Sequence, residues 1–366
     1  MHLEWSPNTK IDKKIWDRYR NLPIAGCKIQ ATYVWIDGTG ENLRSKSKTM
    51  DYTPSSYKDC PTWDFDGSST GLAETHSSDV LLCPVALYAD PITQGNNKIV
   101  LCDTYNAEGK PTRTNFRHAC MEALNQICDK DPMFGLEQEY QLMDLNNRPF
   151  GWPVMNGEPA PAGPYYCGVG ADKAYGREIV ESHYRACLYS GLDVSGVNAE
   201  VTPSQWEFQT GPTIGIKAAD DLWMARYLLH RIAEDYGVAV SLHPKLFPNW
   251  NGAGCHANFS TKEMREDGGY KLIEEAVKKL EKNHAKHIKA YDPSGGEYNK
   301  LRLTGHHETS SVEKFSWGVA DRSVSVRINR KVAQKQKGYL EDRRPSSNSD
   351  PYQVINALVR TICLNE

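Results

Sequence analysis

The stretch FGLEQEYQLMD, Phe134 to Asp144, decides the fold. Successive side chains of a strand point to opposite faces, so this ribbon sets Leu136, Gln138, Tyr140 and Leu142 on one side and Glu137, Glu139 and Gln141 on the other. Two carboxylates therefore point the same way. The same parity in PSQWEFQ puts Gln205, Glu207 and Gln209 opposite Trp206 and Phe208, with Glu200 just upstream in NAEV, and in GYLEDRRP it aligns Tyr339, Glu341 and Arg343.

For any one ribbon, a solvated polar face over a buried apolar one is the ordinary reading. Three such ribbons carry more weight together. If their acidic faces converge, Glu137, Glu139, Glu200, Glu207 and Glu341 repel one another, because carboxylates taken out of water are costly unless paired. Divalent cations would then have to neutralise them. An all-oxygen set with at most one histidine suits Mg²⁺ or Mn²⁺ rather than zinc or copper.

Outward from this core the chain reads as α+β. IDKKIWDRYRNL (11–22) has helical spacing, KIQATYVWIDGTG (28–40) alternates like a strand and stops at the hairpin signal Asp37-Gly38, and strand patterns follow at 79–87 and 98–102. The first hundred residues are mostly β. After Pro111, helical patterns at 115–129, 173–190, 218–236 and 270–291 alternate with strands that carry charge. The segment GWPVMNGEPAPAGPYYCGVG (151–170) is too rich in Pro and Gly for regular structure and too long for an ordinary connection.

A length of 366 residues suits two domains. With 43 basic and 46 acidic residues the formal charge is −3, so no basic field draws in a polyanion, and nucleic acid is not an expected partner. No run approaches the roughly 18 apolar residues of a membrane span, and MHLEWSPNTKIDKKIWDRYR lacks the apolar core of a secretory signal. The chain reads as cytoplasmic and without a membrane partner. Its 10 cysteines then read as reduced thiols, and the Asn258-Phe259-Ser260 sequon as idle.

Phosphate loops are missing: there is no GxxxxGK[ST], and GVGADK fails as a dinucleotide fingerprint. Any nucleotide must be held by arginines and metals. Arg302, Arg322, Arg327, Arg343 and Arg344 lie in runs apolar enough to be internal; Arg322 and Arg327 have opposite strand parity, which predicts a turn or bulge between them. A lone histidine is ordinarily structural, but His256 in NWNGAGCHANFS is flanked by glycines that let backbone approach a ligand. Cys255 beside it points the other way. His284 and His287 edge an apolar helical stripe and read as packing residues, and Asp66 in WDFDGSST reads by default as the anchor of a turn.

Taken together, FGLEQEY, GPYYCGVG, NAEVTPSQWEFQ, NWNGAGCHANFS, RLTGHHETS and GYLEDRRPSSNSDPY, with YVWIDGTG and WDFDGSST, resemble the glutamine synthetase family of the eukaryotic type over nearly the whole chain. The resemblance implies a small N-terminal β-grasp domain (1–112, with its leading helix) and a larger catalytic domain (113–366) built on a curved antiparallel sheet flanked by helices. It implies a ligase that joins ammonium to the γ-carboxylate of L-glutamate with ATP through γ-glutamyl phosphate, in a homo-oligomer, commonly a decamer of two stacked pentameric rings with sites shared between adjacent subunits.

Position by position, the resemblance assigns one metal to Glu139, Glu200 and Glu207 and a second to Glu137, His256 and Glu341. Arg302 and Arg343, with backbone around Asn251 and Gly252, would grip glutamate. Arg322 and Arg327 would meet the phosphates, and Glu207, Asn258, Ser260 and Tyr339 would line the nucleotide. Asp66 would arrive from the neighbouring subunit to bind ammonium and take its proton, and Glu308 would close as a flap. The acids, ATP and glutamate then outweigh two divalent ions and four arginines by roughly two charges, which implies a third divalent ion arriving with the nucleotide.

Four positions depart from the family pattern: Asp321 stands for Asn and adds an acid beside Arg322, Asn329 for Pro, Thr202 for Met, and HPKLF at His243 for DPKP. None removes a ligand or a substrate arginine. Two rivals share the fold: a γ-glutamyl-amine ligase, and a structural oligomer without catalysis.

Overall fold

The computed structural model describes residues 6–152 and 163–366; half of the Pro- and Gly-rich segment at 151–170 lies outside the described residues. The chain divides into two compact units, one of Pro7–Ala119 with Arg185–Leu192, the other built mainly of Cys120–Tyr184 and Asp193–Glu366.

The first unit holds a five-stranded sheet of β1 (Ile29–Ile36), β2 (Leu43–Met50), β3 (Trp63–Asp66), β4 (Asp79–Ala89) and β5 (Lys98–Tyr105), in the order β2-β1-β5-β4-β3. β1 and β5 run parallel and the other neighbours antiparallel, a mixed sheet that suits the β-grasp expected. Ile29, Ala31, Tyr33 and Trp35 alternate along β1 onto one face and form a core with Val80, Leu82 and Val100. The hairpin signal holds: buried Asp37 accepts from Thr39 N and Arg44 Nε and fixes the turn into β2. The leading helix is Lys13–Arg20, shorter than its pattern because Asp12 caps it, and its apolar Ile15, Trp16 and Tyr19 stand exposed.

The second unit carries an eight-stranded sheet: β6 (Met133–Met143), β7 (Val194–Ala199), β8 (Gln205–Ile214), β9 (Ala239–Ser241), β10 (Cys255–Ser260), β11 (Trp317–Val319), β12 (Val326–Ile328) and β13 (Leu340–Asp342). Its order is β11-β12-β13-β10-β6-β8-β7, with β9 alongside β6. All neighbours are antiparallel except β11 and β12 at the edge. Burial along β6 alternates as the sequence predicts, with Phe134, Leu136, Gln138 and Tyr140 buried and the odd-numbered residues between them partly exposed. The buried face packs on the helix Lys217–Tyr236, which is inside along most of its length.

The pattern that predicts one helix over 270–291 yields two, Tyr270–Lys282 and His284–Ala290. Asn283 breaks the run because its side-chain Nδ2 donates to Lys279 O and competes with the backbone ladder. His287 is buried between Tyr291 and Thr361, a packing residue as read from sequence. No helix among the described residues is long and apolar enough to cross a membrane.

Candidate active site

Sheet register brings the acidic ribbons together. Glu137 lies directly across from His256 on β10 and from Gln209 on β8, Glu139 across from Glu207, and Glu341 across from Asn258 and from Arg327. Cross-strand partners point to the same face, so residues more than two hundred positions apart in sequence share one surface. Glu200 sits just beyond the end of β7.

Two groups of ligand-capable side chains result. Glu137, His256 and Glu341 each offer one ligand atom, all within 4.8 Å of one another, and Glu139, Glu200 and Glu207 do the same. His256 stands between the groups, with Nδ1 3.3 Å from Glu137 and 3.8 Å from Glu341, and Nε2 4.0 Å from Glu139. Burial, reinforced by Arg343, holds its imidazole well below the usual histidine range, so it stays neutral with a lone pair to give. Burial first and then the charge of Glu200 pushes Glu139 up to about 8. Glu200, beside Glu207, and Glu207, beside Glu137 and Glu139, rise for the same two reasons. Such carboxylates call for positive charge, and a donor set of oxygens with one imidazole nitrogen fits a hard divalent cation.

Backbone from the glycine-rich turn holds Glu139. Its Oε2 accepts from Gly254 N at 2.8 Å, and a Cβ at 254 would come within 3.0 Å of both Arg302 Nη1 and His256 Nε2. Only hydrogen fits comfortably there. Arg302 is 4 % exposed and donates from Nη2 to the carbonyls of Arg343, Arg344 and Pro345, a locked guanidinium whose pKa burial lowers to about 10. Arg343, just past β13, donates to Glu341 Oε1 at 2.7 Å, and Arg327 to Oε2 at 2.8 Å.

These residues line a cleft of about 260 Å³ with Asn251, Gly252, Glu308 and Arg322. Arg322 lies in the irregular segment before β12 while Arg327 is on the strand, the break in parity that the sequence predicts. Glu308 follows His307, both with left-handed backbone (φ 61° and 53°), which turns the loop sharply at the cleft. An apolar groove of about 380 Å³ is lined by Phe134, Leu136, Phe259, Asn258, Ser260 and Tyr339, and it shares Glu137 and Gln209 with the cleft. Asn258 Nδ2 donates to Glu137 at 2.8 Å, and Ser260 accepts from Arg265.

Asp66 belongs to the other unit, at the end of β3. Its carboxylate accepts from Ser68 N and from the hydroxyls of Ser68 and Ser69, the anchored turn read from sequence. Of the positions that depart from the family pattern, Asn329 caps the helix Arg330–Lys335, Asp321 accepts from Ser323, and Thr202 donates to Asn251 O at 3.5 Å. Sequence reading does not single out Tyr166, Asn198, His307 and Thr309, which also line the cleft. Asn198 could have been found, since it shares strand parity with Glu200 two residues on.

Residues 27–107 match the family model for the glutamine synthetase beta-Grasp domain, and residues 112–363 the model for the glutamine synthetase catalytic domain. The chain is 61% identical over 363 residues to Glutamine synthetase 1, mitochondrial, of Drosophila melanogaster, covering 99% of this chain and 90% of that protein. It is 59% identical over 365 residues to Glutamine synthetase 2 cytoplasmic of the same species, covering 100% and 99%. Against the glutamine synthetase of Homo sapiens it is 55% identical over 362 residues, covering 99% and 96%. Both domain matches and relatives about three-fifths identical along nearly the whole chain point the same way as the clustered carboxylates, and the chain belongs to the glutamine synthetase family.

Proposed function

We propose that the chain makes L-glutamine from L-glutamate, ammonia and ATP, by way of γ-glutamyl phosphate, with residues 1–112 as the β-grasp domain and 113–366 as the catalytic domain. The observation that carries this reading is the meeting of two ligand groups, Glu139-Glu200-Glu207 and Glu137-His256-Glu341, in one cleft with buried Arg302 and Arg343.

Each group would hold one Mg²⁺ or Mn²⁺, which when bound neutralises its carboxylates and stabilises charge on the transferring phosphoryl group. Arg302, already oriented by three backbone carbonyls, and Arg343 grip glutamate, with Asn251 and Gly252 beside them. Arg322 and Arg327 face the phosphates. The apolar groove takes the base, with Asn258, Ser260 and Tyr339 along it and Glu137 and Gln209 at its junction with the cleft, where Glu207 stands on the cleft side. Oxide is a poor leaving group, so ATP must first phosphorylate the γ-carboxylate.

Ammonium is no nucleophile until it loses a proton; Asp66, donated by an adjacent subunit, takes it. Glu308 closes the loop over bound glutamate and keeps water from the acyl phosphate. A third divalent ion, were it to enter with the nucleotide, would balance the remaining negative charge, and the subunits assemble as two stacked pentameric rings in the cytoplasm.

Phosphate release from ATP and glutamate, with and without ammonium, tests the reading in the wild type and in Glu341→Ala. Release should require ammonium and fall at least about 10²-fold in the variant. Turnover without ammonium, or a preference for an organic amine, overturns the substrate assignment; unimpaired Glu341→Ala overturns the site.

A further inference from the structure

Two uncharged side chains stand among the carboxylates. Asn198 on β7 lies directly across from Glu207, and Gln209 on β8 lies between Gly196 on one side and Glu137 on the other. Residues 198 and 200 share one parity, as do 207 and 209, so both amides face the cleft they line.

Their hydrogen bonds run unbroken from Glu200 to Glu207. Asn198 Nδ2 donates to Glu200 Oε1 at 2.8 Å. Gln209 Nε2 donates to Asn198 Oδ1 at 2.9 Å and also to Glu207 Oε1. An ionised carboxylate only accepts, so each amide must turn its NH₂ end toward an acid, and the Asn198 oxygen takes the one donor left over. Gly196 makes room for this: a Cβ there would come 2.9 Å from Gln209 Oε1. The third acid of the group, Glu139, is held independently by Gly254 N and by Gln205 Nε2.

We propose that Asn198 and Gln209 are positioning residues that bridge Glu200 and Glu207 and keep the two carboxylates at the spacing of a single divalent ion. The proposal rests on reading Glu139, Glu200 and Glu207 as an ion site. The physical reason is repulsion: two like charges on neighbouring strands turn apart unless neutral donors tie them, and amides do so without adding charge. Partners of this kind behind metal ligands typically change affinity about 10- to 100-fold when removed.

The test is Mn²⁺ titration of the full chain, followed by the electron paramagnetic resonance of free Mn²⁺, in Asn198→Leu, Gln209→Met, Gly196→Ala and, as markers of the two groups, Glu200→Gln and Glu137→Gln. Asn198→Leu and Gln209→Met keep size and remove the donors. Gly196→Ala removes nothing and only pushes the flexible end of Gln209, so it reads the bridge even if the other two fail to fold. The expected result is a loss of about 10- to 100-fold at the ion marked by Glu200→Gln, with the ion marked by Glu137→Gln within twofold of wild type. Equal weakening of both ions, or wild-type binding in the amide variants, overturns the bridge. If Glu200→Gln itself leaves Mn²⁺ binding unchanged, the ion-site reading fails instead.

Discussion

Asp342 and Arg344 meet in a fully buried bidentate ion pair, Nε to Oδ1 at 2.8 Å and Nη2 to Oδ2 at 2.6 Å, on the side of the ribbon opposite Glu341 and Arg343. Tyr291 donates to the same carboxylate, and Arg344 to His284. The site side of this ribbon is thus braced from behind by a network that never touches the cleft. Asp342→Asn keeps the shape and strands a buried guanidinium, which should destabilise the protein by about 3–5 kcal/mol and raise the KM for glutamate through Arg343. Replacing both partners by apolar residues should recover most of the stability. A melting temperature of Asp342→Asn within a degree of wild type would refute the bracing role.

If Asp66 serves a neighbour's site, two inactive proteins should repair each other. Asp66→Asn and Glu341→Ala subunits, dissociated together and reassembled at equal ratio, should regain activity at about a quarter of the sites, because adjacent pairs then form with both residues intact. Each variant alone should lose about 10² to 10⁴ in kcat for ammonium-dependent turnover. Mixed assemblies no more active than the separate variants would place Asp66 outside a shared site.

Gly254→Ala tests the tight turn beneath Glu139. The added carbon would sit 3.0 Å from Arg302 Nη1 and from His256 Nε2, and Arg302 has little freedom to retreat because three carbonyls hold it. Activity should fall about tenfold or more, with glutamate KM rising and thermal stability nearly unchanged. Unaltered KM would show that the turn can relax.

His183 is fully buried against Phe208 and donates to Ala225 O, and burial lowers its pKa to about 4. The native fold keeps it neutral while the unfolded chain protonates it near its ordinary value, so stability is intact above about pH 6.5 and declines as pH falls toward 4, by about 1.4 kcal/mol per unit. His183→Gln can keep the hydrogen bond and removes the proton site. Calorimetry from pH 7.5 to 5 should show a shallower decline in melting temperature for the variant, and equal slopes would dismiss His183 as a contributor.

Much of the site was legible because strand parity is local. Glu137 with Glu139, Glu207 beside Gln209, and Glu341 with Arg343 follow from the two-residue repeat of a pleated ribbon, whatever the strand pairs with. His256 and Arg302 stood out by their glycine-flanked and apolar surroundings, and the family resemblance of NWNGAGCHANFS and RLTGHHETS supplied their roles and Glu308, which no periodicity assigns.

Sequence by itself therefore determined which side chains share a face on each ribbon, where the longer helices and the first hairpin fall, and the charge that a cation must answer. Tertiary structure alone decided that Glu137 faces His256, that Glu341 faces Asn258, that Asn198 and Gln209 tie Glu200 to Glu207, and that Asn283 splits a helix. Register between distant strands is chosen by how their hidden faces pack together, and a periodic pattern within one segment holds no information about its partner.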